Sequence, residues 1–145
     1  MRRNLSRMLV TSLLSALILL SVGCEVSFTT AKLSEATMAL GVTDDNKPVN
    51  ATTVFSPDTE EIFCSVKLSN APDHTEVTSV WVYVGGAVEG LTNYEIDSYS
   101  TATEGTSYIN FSLPRAADTD FPKGDYKLVL YVDGKESVAL PFTVR

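Results

Sequence analysis

From residue 37 to residue 145, apolar side chains recur at every second position in short runs. That spacing is the signature of a strand with one face buried. Met38, Leu40 and Val42 make the first run, over residues 37–42. Ile62, Cys64, Val66 and Leu68 make the next, with Phe63, Ser65 and Lys67 on the opposite side. Residues 77–84 carry Trp81, and Ile109, Phe111 and Leu113 alternate again. Tyr126, Leu128, Leu130 and Val132, then Val138, Leu140, Phe142 and Val144, complete the series. Residues 52–55 and the more polar residues 93–100 read as edges. Between the runs stand Asp44-Asp45-Asn46-Lys47-Pro48, Asn70-Ala71-Pro72-Asp73, Gly85-Gly86 and Glu104-Gly105, all rich in turn formers. Asp133-Gly134 is a two-residue hairpin signal, residues 114–123 form a longer connection, and Pro141 faces away from its run, as an edge or bulge allows. No helical period lasts beyond a turn or two; residues 32–39 offer the start of one, weakened by Thr37 and Gly41. The pattern predicts an all-β domain, a β-sandwich of seven to eight short antiparallel strands.

The first 24 residues follow a different rule. Three arginines lie in residues 1–7, residues 8–20 carry no charge, and Ser21-Val22-Gly23-Cys24 follows. The apolar stretch is shorter than the roughly 20 residues that cross a bilayer, and a cationic start, a short apolar core and small residues form a signal-peptide pattern. This leader resembles the signal peptide of a bacterial lipoprotein, although Ser21 stands where such leaders usually carry leucine. The resemblance implies acylation of the Cys24 thiol and cleavage before it. It divides the chain into a signal peptide (1–23), a polar tether (24–36) and a domain (37–145). The membrane partner is then reached through lipid on Cys24, and the domain sits at the cell envelope on the extracytoplasmic side. An ordinary secretory signal and an uncleaved anchor are the other readings of the same segment.

Charge narrows the partners. The chain carries −7 at neutral pH, and loss of residues 1–23, with three arginines and no acid, takes it to −10. Nucleic acid recognition needs clustered cations, and so does adhesion to anionic lipid; neither suits this balance. With Cys24 lipidated, Cys64 has no partner for a disulfide, and its place in an alternating apolar run marks it as a small buried hydrophobe.

Three positions carry a second resemblance. Cys64 lies mid-strand, Trp81 follows in the next strand, and Tyr126 opens a later one with Leu128 two residues on. Residues 50–145 in this respect resemble an immunoglobulin-like or fibronectin type III domain. Leu128 stands where the second core cysteine of that family sits, so the resemblance implies the sandwich without its disulfide. It also implies that the Tyr126 hydroxyl bonds back toward residues 116–123. Short stretches such as Gly124-Asp125-Tyr126-Lys127-Leu128 resemble repeats of secreted bacterial lipoproteins with such domains. The fold hosts many unrelated activities.

Catalytic chemistry is thin. His74 is the sole histidine and stands in a polar stretch, while a Cys–His nucleophile needs both groups exposed and adjacent. No nucleophile elbow or Gly-rich phosphate cradle occurs. Asp44-Asp45-Asn46 lacks the alternate spacing of a calcium loop and reads as a solvated turn. The chain is therefore expected to be no enzyme, with no cofactor and no metal. The expected working surface is the outer face of the sheet holding Trp81 and Tyr126: Val80, Val82, Val84, Val129 and Tyr131 point away from the core there. Contiguous apolar surface on a face that is normally polar marks interaction. The expected role is a binding or adhesion module for another protein or an envelope or surface glycan; the alternative is a structural or accessory subunit of an envelope complex.

Overall fold

The computed structural model describes residues 29–145, all strand, turn or loop. The leader, Cys24 and the first residues of the tether lie outside that range. Seven strands follow in order: β1 (Lys32–Val42), β2 (Pro48–Ala51), β3 (Val54–Phe55), β4 (Glu61–Gly86), β5 (Tyr94–Pro114), β6 (Gly124–Val132) and β7 (Lys135–Val144). They form one sheet in the order β2-β1-β4-β6-β7-β3, with β5 added to β4.

β4 is the spine. Its residues 63–69 pair with β1, its residues 77–86 pair with β6, and β5 follows it through both stretches. The sheet therefore has two limbs that share β4 and β5. The bend between them falls at residues 69–75, where the register shifts on both sides of Ala71. Asn70 and His74 take positive φ there, 53° and 62°, which asparagine and histidine tolerate better than most residues. Asn70-Ala71-Pro72-Asp73 is expected to turn the chain; instead β4 continues through it as a bulged crossing, paired to β5 at Ala71. The missing Pro72 donor is absorbed at the irregularity, and the Thr75 hydroxyl donates to the Pro72 carbonyl at 2.7 Å.

The limbs close on a single core. Ile62, Cys64, Val66 and Leu68 from one meet Val77, Trp81, Leu128, Leu130 and Phe142 from the other. Trp81 is 1 % exposed and meets the Phe142 ring edge-on at 6.0 Å, a favoured aromatic geometry. Cys64 is fully buried, and burial pushes its thiol up to about 12, so it packs as a neutral group. Residues 29–145 thus hold their own core and form a folding unit.

Several expectations are corrected. The domain starts earlier than residue 37: β1 begins at Lys32, because Leu33 is buried opposite Leu68. Residues 32–36, expected to belong to a tether, and the short helix expected over 32–39 are therefore strand. The strands are not all antiparallel, since β3 runs parallel to β7 through Val54–Thr143 and Phe55–Val144. The short strands expected at 61–69 and 77–84 are parts of one, as are those at 93–100 and 109–113. Asp133-Gly134 is the hairpin turn expected, with φ of 48° and 77° between paired Val132 and Lys135.

Two poles result. At the bend pole the Asp133 N–H donates to Glu76 O at 2.9 Å, and the Thr30 hydroxyl donates to Asn70 O at 2.8 Å. The chain therefore enters the domain at the bend. At the opposite pole the connections 87–93 and 115–123 meet, with the Ala87 N–H on Lys123 O and the Phe121 N–H on Pro57 O, both at 2.9 Å.

Candidate functional site

Among the described residues β5 pairs with β4 alone. Its other side is an open edge, and between its two halves the limbs do not close. Along that seam apolar side chains stay in solvent: Tyr94 is 53 % exposed, Ile96 39 % and Tyr99 62 %. Ile96 is the extra residue of a bulge, because Trp81 pairs with Asp97 while Val82 pairs with Glu95. Where the seam meets the pole, Val88, Leu91, Tyr94, Ile96, Leu113 and Phe121 line a cleft of about 260 Å³.

The cleft has a built floor. Tyr83 and Tyr126 meet edge to face at 5.0 Å. The Val88 N–H donates to the Tyr83 hydroxyl at 3.1 Å, which ties the tip of the β4–β5 hairpin to the floor. The Tyr126 hydroxyl donates to the Pro122 carbonyl, the back-bond that the immunoglobulin-like resemblance implies. Burial first, and the neighbouring Tyr83 second, push the Tyr126 hydroxyl up to about 12. Beneath lies a close backbone crossing of Gly86 and Gly124. A Cβ on Gly86 would meet Gly124 Cα at 2.5 Å and Lys123 O at 2.6 Å, at a φ of 152°, so only glycine fits. At the rim Arg115 Nη1 stands 3.6 Å from Asp120, and its Nε is buried with no hydrogen-bond partner among the described residues.

A second hollow continues along the seam, between Asp97 and Tyr99 on one half of β5 and residues 110–112 on the other. The Asn110 amide gives one of its two N–H donors to Asn46 Oδ1 on the outside of the first limb. There the turn of residues 43–47 is laid on the sheet: the Ser65 hydroxyl donates to Asn46 O at 2.6 Å, and the Asn46 amide to Tyr108 O at 3.1 Å. Glu35 accepts from the Tyr108 hydroxyl and pairs with Lys67 at 3.3 Å. The Tyr108 bond, then Lys67, holds the Glu35 carboxyl below its ordinary range.

The residues expected to form the working surface are brought together. Val80 lies opposite Val129, and Thr78 opposite Tyr131, on the outer face of the second limb. Exposure is unequal, however. Val82 is 9 % exposed and Val129 6 %, while Val80, Val84 and Tyr131 are half-buried. Residues 32–36 do not cover this face, because they pair in the other limb. Cys24 lies outside the described residues. His74 is exposed at the bend, remote in register from buried Cys64. No group of three His, Cys, Asp or Glu able to hold a metal occurs among the described residues.

The cleft itself was not foreseen. Residues 93–100 read as a polar edge, Phe121 falls in the longer connection of residues 114–123, and Val88 and Leu91 lie between runs, past Gly85-Gly86. Apolar residues placed in predicted connections, next to an edge carrying Tyr94, Ile96 and Tyr99, were the available signal.

No protein-family model matches the sequence, and no curated protein does. Solved structures share its shape at low identity. An immunoglobulin-like protein of Pseudomonas aeruginosa superposes with a TM-score of 0.57 at 12% identity, over 79% of this chain and 96% of that one. The alkylpurine DNA glycosylase AlkC of Pseudomonas fluorescens, solved bound to DNA, gives 0.51 at 16% identity, over 79% of this chain and 30% of the glycosylase. A β-glucosidase of Listeria innocua gives 0.51 at 8% identity, over 81% of this chain and 16% of the enzyme. This chain thus spans under a third of either enzyme. These likenesses show the fold alone: an all-β, immunoglobulin-like domain.

Proposed function

We propose that this chain is a lipid-anchored binding module of a bacterial cell envelope, held at the membrane by acylated Cys24 and receiving its partner at the cleft beside β5 without catalysing a reaction. The cleft carries this reading. It is apolar, open and floored by two hydrogen-bonded tyrosines, and exposed apolar surface of that kind marks interaction. At about 260 Å³ it falls below the size that encloses a drug-sized ligand. It suits one aromatic or aliphatic group belonging to something larger. The runner-up, an accessory subunit docking through Val80, Val82, Val84, Val129 and Tyr131, has less to offer a partner because Val82 and Val129 are already buried.

Titrating residues 29–145 with 4-methylphenol, followed by methyl NMR, tests the cleft. Signals of Leu91, Ile96 and Leu113 are expected to shift while those of Val80 and Val129 stay in place. Shifts at Val80 and Val129 instead would move the site to the outer face, and no shift at either would remove the cleft as a binding site.

A further inference from the structure

We infer that the partner is an extended peptide segment, added as a strand to the open edge of β5 over residues 94–102, with one apolar side chain seated in the cleft and Lys or Arg beside it. This rests on the cleft being the binding site and names what fills it.

Three observations converge. First, the apolar cleft and an unpaired strand edge occupy the same place. Among the described residues β5 has no second neighbour, so one side of it is an unpaired edge on which the Ser98 N–H bonds only locally, to Asp97 Oδ1 at 2.9 Å, and strand addition uses such an edge for affinity and an adjoining pocket for specificity. Second, the edge is acidic. β5 contains Glu95, Asp97 and Glu104 and no Lys or Arg, and Glu95 and Asp97 flank Ile96, whose side chain lines the cleft. A strand with cations beside its apolar anchor complements that charge. Third, a bulge and like charges are the usual guards of an edge against self-pairing. Here they repel a second copy, which would set acid against acid, and leave a basic strand welcome.

Two other occupants fit less well. A glycan would want exposed aromatics with amides alongside, and the one amide next to Tyr99, that of Asn110, already spends one of its two N–H donors on Asn46. The other is the segment before residue 29, and Thr30 stands at the bend pole, on Asn70 O. The five residue steps from Cys24 to Thr29 reach at most ~18 Å, which covers the Ala102 end of the edge, paired with Glu76, but not the cleft pole, roughly 30 Å away over the nine steps of strand from Val77 to Gly86. An anchor at Cys24 would therefore hold the cleft facing outward, away from the lipid.

The test is a phage library of random linear peptides panned against residues 29–145. Recovered sequences are expected to carry an aromatic or aliphatic residue within two positions of Lys or Arg. A synthetic peptide of the recovered sequence, read by fluorescence anisotropy, should bind at least tenfold more weakly to Ile96→Lys, and at least fivefold more weakly to the exposed double change Glu95→Lys with Asp97→Lys. Bound peptide should also slow hydrogen exchange of alternate amides in residues 94–102. The inference is overturned if nothing is enriched over the Ile96→Lys control, or if recovered peptides leave those amides unprotected. Binding of neutral oligosaccharides with loss of signal at Tyr99 would overturn it, as would self-association that Ile96→Lys abolishes. If 4-methylphenol enters the cleft and no peptide does, this inference fails while the proposed function stands.

Discussion

The outer face of the second limb and the seam beside β5 are both apolar, and they differ in where their residues stand in the strand order. Val82 and Val129 belong to β4 and β6, each flanked on both sides by other strands. Their cross-strand neighbours on the same face shield them, and they end nearly buried although they point away from the core. Tyr94, Ile96 and Tyr99 belong to β5, which has one neighbour. No other strand among the described residues stands on their other side, and they remain in solvent. Facing outward is therefore a weaker condition for contact than being at an edge.

Substitutions sharpen that contrast. The largest effect belongs to the core behind both surfaces. Trp81→Ala is expected to cost about 3–5 kcal/mol, as large-to-small changes of buried aromatics do, which is a large share of the 5–15 kcal/mol typical of a domain. Urea unfolding measures it, and a midpoint close to that of the unaltered protein would show that Trp81 is not buried. Next comes the pair that opposes the two surfaces directly. Val129→Glu should cost about 1–3 kcal/mol, since a carboxylate replaces a side chain 6 % exposed. Ile96→Lys should stay within about 0.5 kcal/mol, as changes at exposed positions do. Thermal melts of the two variants break the comparison if their order is reversed. Smallest in stability is Cys24→Ser in the full chain, at a position before the described residues. It should leave the melt unchanged while shifting the protein from the membrane fraction to the soluble one and blocking lipid-dependent processing. Membrane retention with unchanged processing would remove the anchor from the proposal.

Much of this architecture was legible in the residues. Alternation placed Ile62, Cys64, Val66 and Leu68 on one buried face because a strand's side chains alternate strictly, and the Asp133-Gly134 turn was readable because few residues accept positive φ. The Trp81 and Tyr126 roles followed from the immunoglobulin-like resemblance. What stayed hidden was pairing between distant segments. The chain's turn formers at residues 70–73 break a strand in most settings, yet here β4 runs on through them, held to β5 at Ala71 and gripped before and after by β1 up to Ser69 and by β6 from Val77. Likewise, Leu33 gives no local sign that Leu68 lies across from it. The cleft depended on both: it exists only because β4 and β5 bend together and bring Ile96 to Leu113, seventeen positions along the same strand.

The entry of the chain at the bend has a mechanical consequence. With lipid at Cys24 and a partner held at the far pole, tension enters through Thr29 and draws β1 lengthwise past β4. The rungs from Lys32–Ser69 to Ala39–Phe63, and the buried side chains of Leu33 and Met38, then bear the load together in shear. A chain entering at the opposite pole would instead peel those rungs apart one at a time. Forced rupture is governed by the rate of unfolding, and shear keeps that rate low. A tethered binder arranged this way resists being pulled open by its own grip.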